Sequence, residues 1–176
     1  LFYPWKEKIL IPNMIDVQKY LMSPEEVEDA KKKLGLSGKL ILGSVGRVAR
    51  IKNYEHIIKV LAQLVKLNVD AHFVCYGRFD ALNDRYCSEL LALATQLGVV
   101  NRVHFEGNSM NISDDIKSFD ILLMPSITEG FGMAAIEAQA AGIPVILSDG
   151  VPRMVDVELG LAQFLPINDI SVWVNH

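Results

Sequence analysis

The chain has 176 residues, half of them hydrophobic and 22% charged, which is enough for one domain with a proper core and unlike a disordered composition. A formal charge of −4 argues against a general nucleic-acid binder, although it leaves room for a local basic pocket. No apolar run approaches the roughly 20 residues that span a bilayer, and two cysteines with four scattered histidines give no zinc-ligand spacing. The reading at this level is a cytoplasmic, reduced, metal-free domain.

The opening stretch, "LFYPWKEKILIPN", has no initiator Met and no secretory layout, so it reads as a piece cut from a larger protein. "SPEEVEDAKKKLGL" then carries a full set of helix signals. Ser23 is the N-cap, Pro24 fits the first helical position, Glu26 sits at the capping-box position and Gly35 stops the helix. Lys31, Lys32 and Lys33 suit its C-terminal dipole and are expected to be a solvated helix end.

A repeated alternation follows. β-rich runs stand at Lys39–Val45, Ala71–Tyr76, Arg102–Glu106, Asp120–Pro125 and Ile143–Ser148, with a weaker one at Ala162–Ile167. Helical patterns such as "YEHIIKVLAQLVKL" lie between them. Near-continuous apolar strands alternating with helices predict an α/β fold, a Rossmann-like doubly wound parallel sheet of about six strands. Ligands in such folds bind beyond the carboxyl ends of the strands, so the loops that follow strands carry the information.

Three of these loops stand out. "GRVARIKN" follows the first strand, with Gly46 for close backbone approach, the cations Arg47, Arg50 and Lys52, and Asn53 as an N-cap. Composition alone allows either a solvated basic turn or a phosphate-facing loop; the Walker spacing is absent. "RVHFEG" ends a strand in glycine, and His104, alternating with Val103 and Phe105, reads as a packed strand histidine. "PSITEGFGMAAIEAQAAGIPVIL" places Glu129 in a loop beside two glycines and Glu137 inside a helix of alanine, methionine and isoleucine. A carboxylate on so apolar a helix needs a partner, and ligand hydroxyls could serve.

Taken in order and spacing, "ILIPNMIDVQKY", "GRVARIKN", "RVHFEG" and "PSITEGFGMAAIEAQAAGIPVILSD" resemble the donor-binding, C-terminal half of family 4 (group 1) retaining glycosyltransferases of GT-B fold. The resemblance runs from Ile9 to Trp173. It implies that Arg47 and Lys52 hold a nucleoside diphosphate, that Glu129 contacts the donor sugar and that Glu137 binds the ribose hydroxyls. Backbone amides at Phe131, Gly132 and Met133 would meet sugar or phosphate, Gly46 would admit the ligand, and the base would lie against backbone at Val103 to Phe105. It further implies a nucleotide-sugar substrate, no cofactor and no metal. An acceptor would be bound mainly by a missing N-terminal domain, and the full-length enzyme would work in the cytoplasm or peripherally at the inner face of the membrane. A neutral residue at 137 should then weaken the nucleotide itself, whereas one at 129 should leave the free diphosphate almost untouched.

The chain departs from the family at "YGRFDALNDRY", which keeps only Gly77, and at "GVPRMV", where Gly150, Val151 and Arg153 stand where the family often has two glycines and an acidic residue. Both bear on donor identity. Rival readings are a GT-B sugar-nucleotide epimerase and a non-catalytic sugar-nucleotide module.

Overall fold

The computed structural model describes residues 14–78 and 85–176. The first part of "ILIPNMIDVQKY" and most of "RFDALNDRY" therefore lie outside the described residues. The strands are β1 (Leu40–Val45), β2 (Ala71–Tyr76), β3 (Val103–Gly107), β4 (Ile121–Met124), β5 (Val145–Ser148) and β6 (Ala162–Leu165). The α-helices are α1 (Pro24–Lys33), α2 (Tyr54–Lys66), α3 (Arg85–Gln96), α4 (Ile112–Asp115), α5 (Met133–Ala140) and α6 (Ile170–Val174).

All six strands pair in parallel, in the order β3-β2-β1-β4-β5-β6. The chain adds strands in one direction from β1 to β3, then returns to the other side of β1 with β4. This is the strand order of the Rossmann-like class that the apolar runs predicted.

The four inner strands, β1, β2, β4 and β5, are buried on both sides, which is why their sequences read as apolar runs. Leu42, Phe73, Cys75, Leu123 and Ile146 face one core with α2, α3 and Trp173 of α6. Ile41, Val74, Leu122, Met124 and Leu147 face the other with the alanines of α5 and with Tyr20, from the 3-10 turn Val17–Tyr20 ahead of α1. The pairing of β2 with β3 shifts register between Cys75 and Tyr76, where the edge strand ends.

The capping box of α1 forms as expected, with Ser23 and Glu26 exchanging side-chain and backbone hydrogen bonds. Its basic end does not behave as expected. Lys31 is buried, and its Nζ lies 2.7 Å from both carboxylate oxygens of Asp120 and 3.2 Å from the Lys39 carbonyl. Asp120 also accepts the Ile41 N–H at 2.7 Å. One carboxylate thus ties the end of α1 to the starts of β1 and β4, a role that a run of three lysines does not advertise.

Asp120→Ala would leave Lys31 buried without its anion and the Ile41 N–H without its acceptor. The expected cost is about 2–3 kcal/mol of unfolding free energy, read by urea denaturation at pH 7. A loss under about 1 kcal/mol would mean that solvent replaces the pair.

Candidate functional site

The carboxyl ends of β1 and β4 meet where the strand order reverses, and the loops that leave them are stitched together. The Ile127 N–H donates to the Ile51 carbonyl at 2.8 Å, and the Asn53 amide donates to the Pro125 carbonyl at 3.2 Å. Asn53 therefore stands at the start of α2 but caps it with no side-chain bond, because that side chain serves the neighbouring loop. On the other flank the Gly46 N–H donates to the Tyr76 carbonyl at 2.9 Å, and the Tyr54 hydroxyl donates to the Gly46 carbonyl at 3.0 Å.

Gly77 makes the first of these approaches possible, since a Cβ there would lie 1.9 Å from the Gly46 carbonyl oxygen. Gly150 does the same for the third loop, where a Cβ would lie 2.3 Å from the Ile127 carbonyl oxygen. The Glu129 N–H donates to the Gly150 carbonyl at 3.0 Å, so the loop after β5 braces the loop after β4.

Three cavities open along this edge. The first, about 350 Å³, is lined by Lys52, Glu129, Phe131, Gly132, Met133 and Glu137 among others. The second, about 270 Å³, is lined by Gly46, Arg47, Tyr76, Gly77, Ser109 and Glu137 among others. Glu137 belongs to both and stands between them. Tyr76 and Ser109 lead on to a third cavity of about 280 Å³ beyond β3, with Glu106, Asn108 and Asp115 in its wall.

The structure brings together most of the residues that the sequence singles out. Arg47 is exposed at the mouth of the second cavity, with no ion pair to any described residue. Lys52 and Glu129 are largely buried and form an ion pair. Gly132, at φ 98°, starts α5 in the left-handed conformation with no side-chain cap, so the first amides of the helix face the cavity edge without a side-chain acceptor. Arg50 turns away, pairing with Glu89 and lying 4.9 Å over the Tyr86 ring.

Val103 and Phe105 are not brought to these cavities. They pack on the core beneath α3, and Phe105 meets Phe73 edge to face at 6.1 Å. Strand parity sends them there, and the residues past the end of β3 line the third cavity instead. His104 stacks on His72 in β2, as a packed strand histidine would. Arg153 bonds Asp149 at 2.9 Å and lies 3.9 Å over the Phe164 ring, outside the cavity linings. Tyr76, Gly77 and Ser109 line the cavities without a motif of their own; their one signal in the sequence is position, at or just beyond strand ends.

The sequence signature described as "Glycosyl transferases group 1" matches residues 26–159. The chain belongs to the group 1 glycosyltransferase family. It is 32% identical to the glycosyltransferase EpsF of Bacillus subtilis (strain 168), covering 93% of this chain and 42% of EpsF. HepE of Anabaena, solved in complex with UDP and glucose, superposes with a TM-score of 0.82 at 25% identity, over 93% of this chain and 44% of HepE. The C-terminal domain of the group 1 protein LpcC from Francisella tularensis shares the fold, with a TM-score of 0.78 at 22% identity over 92% of this chain and 85% of that domain. The structural neighbours are GT-B glycosyltransferases, and the chain spans less than half the length of EpsF and HepE.

Glu137, shared by two of these cavities, also carries an electrostatic mark. Burial raises its pKa above the usual carboxylate range, opposed by the Tyr20 hydroxyl alongside it. Tyr20 in turn is pushed up to about 12 by burial and by the Glu137 charge. A buried carboxylate binds its proton more readily in the folded chain than in the unfolded one. At pH 7 the ionised group therefore opposes folding, and this opposition fades as the pH falls through its raised pKa.

Glu137→Gln should consequently melt above the wild type at pH 7, with the difference vanishing as the pH is lowered toward 4, the usual carboxylate range. Thermal unfolding of both proteins across that range checks this. A variant that melts lower at pH 7 would show the carboxylate to be a structural asset.

Proposed function

We propose that this chain is the donor-binding domain of a retaining glycosyltransferase that takes a nucleoside diphosphate sugar and needs no divalent metal. The observation that carries the reading is the junction at Glu137, where a half-buried carboxylate stands between one cavity holding Lys52, Glu129 and the start of α5 and another holding Arg47 and Gly46.

The roles follow from chemistry. Arg47 and Lys52, with the uncapped amides of α5 at Gly132 and Met133, offer positive potential to a diphosphate and to the charge that develops as it leaves. Glu137 accepts hydrogen bonds from ribose hydroxyls, which outbid water for a desolvated carboxylate. Glu129 and the backbone around Phe131 face the sugar and fix the anomeric carbon. The base lies past the end of β3, beside the third cavity. HepE, solved in complex with UDP and glucose, supports a nucleotide-sugar ligand.

The acceptor is held mainly by the part of the enzyme N-terminal to this domain, and the whole enzyme works in the cytoplasm, at the inner membrane face when the acceptor is lipid-borne. Among the described residues, no helix is long and apolar enough to cross a membrane.

Calorimetric titration with UDP and GDP tests the reading. At least one should bind, and excess EDTA should leave its affinity unchanged; binding only with magnesium would refute the metal-free mechanism. Glu137→Gln should weaken the bound diphosphate by about 1–2 kcal/mol, the scale of a charge-assisted hydrogen bond. Equal affinities for the two proteins would place Glu137 outside the ribose site.

The 176-residue chain alone is expected to transfer no sugar to acceptors, because it supplies one face of a two-domain site. Slow hydrolysis of the donor is compatible with this. Steady turnover with any acceptor is not.

A further inference from the structure

Lys52 and Glu129 stand 77 positions apart in sequence and meet across the reversal of strand order, each with most of its side chain covered. Glu129 is fixed from several sides. The Ser126 hydroxyl donates to its Oε2 at 3.3 Å, the Gly130 N–H donates to its Oε1 at 3.3 Å, and its own N–H is held by the Gly150 carbonyl at 3.0 Å. The carboxylate cannot swing out of the cavity without giving up its bonds to Lys52, Ser126 and Gly130. The cavity therefore presents a half-neutralised lysine and a pinned negative charge to whatever enters.

We infer that this ion pair makes the site discriminate between an intact nucleotide sugar and the free nucleoside diphosphate that transfer leaves behind. The inference rests on the nucleotide-sugar reading and names what selects between its two ligands. A terminal phosphate gains close to one further negative charge when its sugar ester is cleaved, because its second ionisation lies near pH 6. That charge arises in the cavity where Glu129 is held, at a separation where two like charges in a partly buried site repel appreciably. The intact donor instead places sugar hydroxyls there, and hydroxyls donate to a carboxylate. Glu129 thus favours the substrate and disfavours the product.

The direction differs from the expectation drawn from sequence, in which replacing Glu129 leaves the free diphosphate almost untouched. Removing the carboxylate takes away the repulsion and frees Lys52 for the phosphate. Both changes tighten the product, and loss of the hydroxyl acceptor loosens the donor.

The test is calorimetry on the 176-residue chain with UDP against UDP-glucose and GDP against GDP-mannose, for wild type, Glu129→Gln and Glu129→Asp. Circular dichroism confirms that each is folded. Glu129→Gln should bind the free diphosphate about five- to tenfold more tightly and the nucleotide sugar about tenfold more weakly. Glu129→Asp keeps the charge while shortening its reach, so it should hold the free diphosphate within about twofold of wild type while weakening the nucleotide sugar. A free diphosphate that binds Glu129→Gln no more tightly than wild type overturns the inference and leaves the nucleotide-sugar reading standing. Equal tightening in Glu129→Asp also overturns it, since charge would not be the cause. Failure of both diphosphates to bind the wild type overturns the reading itself, and the inference with it.

Discussion

Two parallel strands that are neighbours in space but far apart in sequence leave the sheet side by side, and their backbones must be satisfied beyond its edge. At β1 and β4 this constraint is met by the Ile127 N–H on the Ile51 carbonyl and by the Asn53 amide on the Pro125 carbonyl. That junction carries the candidate site. It sets Lys52 against Glu129, aims the start of α5 at the gap between the loops, and leaves room beside Gly46 for a ligand. Open α/β sheets offer a crevice where the strand order reverses, and here the bonded loops after β1 and β4 form its edge.

Interactions that hold the fold and those that serve the site lie at opposite ends of the strands. Lys31 and Asp120 tie α1 to the amino ends of β1 and β4, while Lys52 and Glu129 meet beyond the carboxyl ends. Both are ion pairs between a lysine and an acid remote in sequence, yet their surroundings differ. The Lys31 pair is completed by a backbone N–H and a carbonyl, and lines no cavity of the candidate site. The Lys52 pair forms part of a cavity wall. Gln139 adds a quieter structural tie, donating to the Ala135 and Val155 carbonyls and accepting the Val157 N–H, which fixes α5 to the segment ahead of β6.

How much of this could be read in advance depended on whether one residue's surroundings are set by its neighbours in sequence. Strands buried on both faces announce themselves as apolar runs, and α5 announces Glu137 because no solvent-facing stripe is left for a carboxylate. The strand order was legible only as a class. The side chains of Val103 and Phe105 turn into the core, and the cavity that lies past the end of β3 is set by a strand order that the sequence does not print. Asn53 looked like a cap because the competing carbonyl at Pro125 lies 72 positions away. The pairing of Lys52 with Glu129 is hidden for the same reason, although each residue stands out in its own loop.

The register shift between β2 and β3 has a consequence for how the molecule behaves in company. A parallel sheet ends in two strands whose outer backbone groups could template a second chain. Here one end is β6, only four residues long. The other is β3, which bears the exposed Glu106 and slips register against β2 just before Gly107 pairs with Tyr76. Neither offers a long, flat, uncharged ribbon for edge-to-edge growth. In a chain half of whose residues are hydrophobic, a short margin and a charged one are the features that disfavour edge-to-edge growth.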